Sequence, residues 1–464
     1  MRCARAAALA LIPLAGVTGL AAQDSHYWSE QYGTAAALLG GAAIGTVEDL
    51  SAVYYNPGAV ALFPEAGFVL SARAYRRREL LLDDPTREGV TLASSATRPV
   101  AGMLATPLRL RFLGRHSLVY SVLTRQLFDI GVADRGIEVR DLSSAPEDDV
   151  FAGAFTGSVR LRETWTGLTW SVSVSERLGV GVSSFLAVRS HTIDSELLAQ
   201  ALVPSGDVAT AVRSRSRSFT HYRLLTKVGV SLQGDRTSFG LNVTAPGVPL
   251  GGSGRTAYNE SVTASGAAAE LIDAPLLAVD LQRDLPALHR SGWIVGVGAG
   301  LRIGEARLHT SLEWFQGSRS FVALDAVDFV PQSGGSAVDN DITVDLRSVV
   351  NWGVGVERPF SFATLYLSFA SDNSASAGRG PFETDAFLTS YDLLQGRGGA
   401  SFRLGPLDLM LGAGYRTGTN PFPPLFASDG PLTPTVDPDS RIRLSEWSAF
   451  LGLELLRGGD DGAG

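Results

Sequence analysis

The chain holds one cysteine and three methionines in 464 residues, and Lys227 is its single lysine. Cys3 stands ahead of an apolar stretch that reads as a removable leader, so the mature chain is expected to have no thiol. Disulfides and cysteine metal sites are thereby excluded. Beyond the N-terminus no run of about 18–20 apolar residues occurs, which excludes membrane-spanning helices. Histidine is also scarce, six in all. No Gly-x-Ser-x-Gly elbow, His-Glu-x-x-His pair or calcium-loop pattern is present. The run Gly296-Val-Gly298-Ala-Gly300 lacks the third-glycine spacing and the βαβ setting of a dinucleotide fingerprint. No enzyme, metal or cofactor is therefore expected. A formal net charge of −8 argues against nucleic acid as a partner.

Hydrophobic residues make up 45% of the chain, charged residues 19%, and glycine numbers 52. Without helical spans, that much apolar surface must enter a large soluble β-core or a barrel whose outer face meets lipid. Residues 1–23 read as a signal peptide, with Arg2 and Arg5, an apolar stretch from Ala6 to Leu20 and small residues before Asp24. That stretch, about 15 residues, is too short to span a bilayer.

From about residue 66 to 456 the chain alternates with period two. Thr220, Tyr222, Leu224, Thr226, Val228, Val230 and Leu232 share one face, with His221, Arg223, Lys227, Gly229 and Ser231 opposite. The division recurs over 293–302, 306–315, 350–357 and 407–416. Apolar-out, polar-in strands are those of a membrane barrel. Arg160 and Arg162 share parity with Leu168, Trp170 and Val172, which implies a bulge or a strand continuing above the bilayer.

Connections alternate in length as well. Short turns fall near 111–116, 175–178, 233–236, 303–305, 358–361 and 404–406. Longer loops are expected at 82–95, 132–155, 193–217, 246–290, 318–346, 373–386 and 419–441. Short turns at one rim and long loops at the other belong to bacterial barrels, and the strands between them number about 14. A hairpin hidden in 246–290, where Pro275 to Leu285 reads as strand or helix, makes the number 16. A polar tail, residues 457–464, follows the last strand.

Residues 24–65 do not alternate. Small residues from Ala35 to Gly45 precede Tyr55-Asn56-Pro57-Gly58, and such a piece can pack closely in a confined space. With Gly40-Gly41-Ala-Ala and an acidic residue before Ser51-Ala, this stretch resembles the N-terminal hatch of the FadL/TodX family of outer-membrane transporters for long-chain fatty acids and other hydrophobic compounds. That family usually has alanine after Asn-Pro, where this chain has Gly58. The resemblance implies an all-β fold, a transmembrane antiparallel β-barrel of about 14 strands with the hatch plugging the lumen.

What it implies for function is passive, hatch-gated diffusion of long-chain fatty acids or hydrocarbons across the bacterial outer membrane, with Asn56, Pro57 and Gly58 as the hatch motif. Expected partners are a hydrophobic small molecule, outer-membrane lipid and the outer-membrane assembly machinery. The ligand-binding residues are unknown. A carboxylate would need a cation, and Arg189, His191, His221, Arg223 and Lys227 form the densest inward basic group. The same residues equally suit lumen filling by ion pairs with carboxylates such as Glu313 or Glu357. A non-specific porin, or a structural or adhesive barrel acting through its loops, is the alternative.

Overall fold

The computed structural model describes residues 26–63, 66–83, 91–97, 100–108, 115–140, 142–376, 391–421 and 441–456. The expected leader, Cys3 and the polar tail lie outside these residues, as do most of the turn expected at 111–116 and much of the loops at 82–95, 373–386 and 419–441.

Fourteen antiparallel strands close into one barrel. They are β1 (Ala66–Asp83), β2 (Thr91–Thr97 with Val100–Pro107), β3 (His116–Arg140), β4 (Asp149–Ser175), β5 (Leu178–Leu202), β6 (Val208–Gln233) and β7 (Thr237–Thr244 with Val248–Ala264). Then follow β8 (Leu276–Pro286 with Ile294–Ile303), β9 (Ala306–Phe315), β10 (Val349–Pro359), β11 (Thr364–Asp372), β12 (Leu393–Leu404), β13 (Leu407–Pro421) and β14 (Arg441–Leu456). Closure comes from β1 pairing with β14, from Ala66 opposite Leu456 to Asp83 opposite Arg441. With closure, no sheet edge is left to meet lipid.

The faces expected from period two are the faces observed. Tyr222, Leu224, Val228 and Leu232 on β6 are exposed on the outer wall, while His221, Arg223, Leu225 and Lys227 are buried. Val297 and Leu301, Leu308 and Leu312, Val350 and Val356, and Leu411 and Tyr415 continue the apolar wall.

The expected loops need correction in three places. Most of 132–155 and 193–217 is strand: β3 runs to Arg140, β4 starts at Asp149, β5 runs to Leu202 and β6 starts at Val208. β4 alone has 27 residues, about 90 Å at ~3.3 Å per residue, against an apolar band about 25 Å tall. Above that band neither face needs to be apolar, so the alternation fades while the ladder of backbone hydrogen bonds persists. Arg160 and Arg162 lie on this extension of β4, whose pairing with β5 is regular from Val150 to Ser173. The strand-continuation alternative is therefore the one observed.

The third place is 246–290. It contains the second half of β7 and the first half of β8, so Leu276–Pro286 is strand, yet the number stays at 14 because it belongs to the strand that resumes at Ile294. Within 318–346 the chain forms a small hairpin, Ser318–Leu324 with Ile342–Leu346. Phe321, Leu324, Ile342 and Val344 from it join Ile130, Phe155, Ile193 and Phe219 in a buried apolar cluster in the long-loop half of the lumen.

Placing an arginine within the band at Val228→Arg is expected to cost about 2–4 kcal/mol of barrel stability in lipid. Ile137→Arg, on the extension of β3 where the side chain is 75% exposed, should cost under about 0.5 kcal/mol. Equilibrium urea unfolding in bilayers checks both; equal costs would mean that the band has been placed wrongly.

Candidate functional site

Residues 26–63 are packed inside the barrel, in the half nearest the short turns. Two brief helical turns, Ala35–Leu38 and Ala52–Tyr55, and a 3-10 turn, Pro57–Leu62, carry almost wholly buried side chains. Its backbone lies directly against the wall where the wall has only glycine. A Cβ added at Gly240 would stand 2.0 Å from the carbonyl oxygen of Ile44, and one at Gly181 2.3 Å from that of Pro57. At Gly229 it would stand 2.3 Å from Asn56 Oδ1, and at Gly298 2.5 Å from the Gly45 nitrogen. Gly58 on the segment and Gly179 on β5 meet in the same way, a Cβ on Gly179 lying 2.0 Å from Gly58 O. Gly58 therefore stands at a position too tight for the alanine usual after Asn-Pro.

Asn56 is fully buried and joins segment to wall. Its Nδ2 donates to Ile44 O at 3.1 Å and to Val230 O of β6 at 2.9 Å, and its Oδ1 accepts from the Gly58 N–H at 3.1 Å. Asn242 of β7 donates to Tyr55 O at 2.6 Å. Burial raises the Tyr55 phenol above its ordinary range, so it stays protonated and donates to Gln31 Oε1 at 2.7 Å.

Two charged centres lie beside this segment. Glu446 of β14 receives Arg78 and Arg416 at 2.8 Å, with Arg73 and Arg76 at 3.4 Å. Glu30 of the segment pairs with Arg73 at 3.2 Å and with Arg76. On the other side Lys227 donates to Tyr54 O at 2.7 Å and lies 3.9 Å from Glu313, the pairing anticipated for it. Glu357 pairs with His309 at 3.2 Å.

Of the expected basic group, Arg189 and Arg223 are brought together around one carboxylate, Glu163 of β4, whereas Lys227 lies apart beside Glu313. Arg189 of β5 stands 2.9 Å from Glu163 and Arg223 of β6 2.6 Å. Glu163 went unnoticed in the sequence, although its odd parity, opposite to that of the outward Arg160 and Arg162, marks it as inward. His289 was also missed, because it fell in a stretch read as loop. It is buried, and its ring packs against Phe321 at 6.0 Å, while His191 packs against Phe219 at 5.5 Å.

Donors outnumber acceptors here. Among the described residues both ring nitrogens of His221, Nδ1 of His191, and Nε and Nη1 of Arg223 are buried without a hydrogen-bond partner. Unpaired buried polar atoms of this kind cost about 1–3 kcal/mol each. An apolar wall of Phe219, Phe321 and Leu324 adjoins them. Apolar surface beside an arginine with unsatisfied donors is complementary to an oily molecule with an acidic or hydrogen-bond-accepting end.

The wall is interrupted at this level. β7 and β8 pair from Val262 opposite Leu276 to Ser253 opposite Pro286, and again from Thr244 opposite Ile294 downward. Between them, residues 245–251 and 288–293 share no ladder among the described residues. The seam is held by the Gly247 N–H donating to Ser291 Oγ at 3.1 Å. A Cβ on Gly247 would stand 3.1 Å from Arg223 Cδ, so the donor group lies immediately behind the seam. Leu288 N instead donates to Ala323 O of the loop hairpin at 2.9 Å, which draws β8 inward.

Gly240→Val should push the N-terminal segment off its seat while the barrel ladder survives. Proteolysis within residues 26–63 is expected to rise at least about tenfold, with heat-modifiable gel migration of the barrel retained. Unchanged proteolysis would show that the segment does not depend on this contact.

No protein-family model matches the chain, and no curated protein matches it in sequence. Solved structures do match over nearly the whole length. A Pseudomonas aeruginosa FadL homologue superposes with a TM-score of 0.54 at 12% identity, covering 93% of this chain and 99% of that one. The Ralstonia pickettii toluene transporter TbuX gives 0.56 at 14% identity, and the P. putida toluene transporter TodX 0.56 at 13%, each covering 92% of this chain and 99% of its own. The chain therefore has the barrel fold of the FadL and TodX type of outer-membrane transporter.

Proposed function

We propose that this protein carries hydrophobic small molecules, long-chain fatty acids or hydrocarbons, across the bacterial outer membrane by passive diffusion, with residues 24–65 acting as a hatch. It acts as a transporter and not as an enzyme. The observation that carries the reading is the juxtaposition in one lumen of a buried N-terminal plug, an apolar cluster and a donor-rich group behind an interrupted wall. An oily solute enters among the external strands and the loop hairpin and rests against Phe219, Phe321 and Leu324. Its acidic or polar end is met by Arg223 and His221, whose unpaired donors gain a partner. Exit follows rearrangement around Asn56, Pro57 and Gly58, or runs sideways through the β7–β8 seam, which spares an apolar chain from crossing water. Outer-membrane lipid and the outer-membrane assembly machinery are the partners such a barrel requires.

A porin needs a wide aqueous lumen, and here one half of the lumen is occupied by residues 26–63 and the other by an apolar cluster. Cells carrying the protein should show saturable uptake of radiolabelled long-chain fatty acid without entry of a small sugar, and Asn56→Ala should lower that uptake severalfold. Sugar entry insensitive to the substitution would identify a general pore instead.

The seam gives a separate test. Since Gly247 and Ser291 are already in contact and the rest of the chain after Cys3 is free of cysteine, Gly247→Cys with Ser291→Cys can be closed cleanly by oxidation. Uptake should fall on oxidation and recover with reductant. Uptake indifferent to the crosslink would rule out the sideways route and leave the Asn56 route standing.

A further inference from the structure

On the outer wall, directly above the apolar band of β4 to β8, the surface changes from aliphatic to arginine and hydroxyl. The register places Arg160 opposite Thr192, Thr192 opposite Ser218 and Ser218 opposite Arg255. One row nearer the band, Arg162 lies opposite Ser190, Ser190 opposite Thr220 and Thr220 opposite Ser253. Below these rows β5 presents Leu186 and Val188, β6 presents Tyr222 and Leu224, and β7 presents Val248 and Leu250. Between β5 and β8 the rows line a groove of about 480 Å³ that includes Ser190, Thr192, Ser218, Arg255 and Arg283.

The arginines are available. Arg160, Arg162, Arg255 and Arg283 are exposed, and Arg255 donates to Ser218 Oγ at 3.2 Å. None of the four has an ion-pair partner among the described residues. Two carboxylates flank them without an ion pair to them: Asp284 lines the groove, and Asp194, one row farther out, accepts from Ser216 at 2.6 Å and Ser158 at 3.3 Å. Surface arginine commonly finds an intramolecular carboxylate. Four that do not, set among hydroxyls at the upper limit of an apolar wall, match a molecule with acyl chains below and phosphate above.

We propose that this groove binds an acylated, phosphorylated lipid of the outer leaflet. The acyl chains lie along Leu186, Val188, Leu224 and Val248, and the phosphates are held by Arg160, Arg162, Arg255 and Arg283, with Ser190 and Thr220 hydroxyls beside them. The proposal rests on the outer-membrane placement of the barrel but not on its transport of any cargo.

Full-length barrel in dodecyl maltoside is titrated with bisphosphorylated lipid A, with the same lipid after enzymatic dephosphorylation, and with inorganic phosphate, binding being read by native mass spectrometry and by the shift in Tm. The bisphosphorylated lipid should bind and raise Tm; removing its phosphates should weaken binding by about 10- to 100-fold, and inorganic phosphate should neither bind nor compete at micromolar concentration. Replacing the four arginines by alanine should abolish the difference between the two lipids, and replacing them by lysine should keep most of it. Should the fourfold alanine variant fail to show heat-modifiable migration, Arg255→Ala with Arg283→Ala alone carries the test. Equal binding of both lipids, undiminished binding by the alanine variant, or competition by inorganic phosphate at the lipid's own concentration would overturn the proposal. Because none of these readouts involves uptake, their failure is separable from a failure of the transport reading.

Discussion

The contact between the backbone of the N-terminal segment and the glycines of the wall is the constraint on which the interior depends. A barrel of fourteen strands encloses more space than inward side chains of ordinary size can fill. This chain fills one half by laying a second stretch of backbone against its own sheet. The segment can approach the main chain of the wall this closely only where the wall has no Cβ, which is why Gly179, Gly181, Gly229, Gly240 and Gly298 face inward at the contact. The segment's backbone groups then lack the regular partners of helix or sheet. Side chains of Asn56, Asn242, Ser183 and Lys227 supply them, the last two bonding to the carbonyl oxygens of Val53 at 2.8 Å and Tyr54 at 2.7 Å.

The other half is filled differently, by apolar side chains of β3 to β6 and of the hairpin at Ser318–Leu324 and Ile342–Leu346. Between the two fillings lies the charged level. At Glu446 the charges are densely paired, four arginines around one carboxylate that is 1% exposed. At Glu163 two arginines share the carboxylate, and Arg223 and His221 retain buried atoms without hydrogen-bond partners, as Arg73, Arg76 and Arg416 do around Glu446. Buried polar groups left in that state destabilise a protein unless something else completes them. Of the two centres, the one at Glu163 lies behind the seam between β7 and β8, so its unpartnered groups and the break in the wall support the same reading.

Much of this was legible from residue order. Period two assigned Arg189, His191, His221, Arg223 and Lys227 to the interior, and all five are buried there. It assigned Tyr222, Leu224 and Val228 to the outer face, where they are exposed. The lower ends of the strands were accurate because short turns need particular residues, as at Gly304 and Gly405 with φ of 59° and 64°. The upper ends were not, because strands beyond the bilayer keep their ladder without keeping an apolar face. β8 was obscured for a related reason. It leaves β7 at Ala287 to pair with Leu324 of a distant loop, and nothing in residues 287–293 alone indicates that partner.

Sequence by itself determined that the wall is a barrel, which side chains face inward and that a small-residue segment precedes the first strand, because each follows from local periodicity and local turn chemistry. Only the tertiary structure decided which inward groups meet. Glu163 serves Arg189 and Arg223 because three neighbouring strands share one register, and Gly58 meets Gly179 because a segment more than a hundred residues upstream is folded against β5. The place where the wall opens was likewise fixed by long-range pairing. Backbone hydrogen bonds between β7 and β8 are lost there to a loop hairpin, an exchange between partners that a one-dimensional pattern does not record.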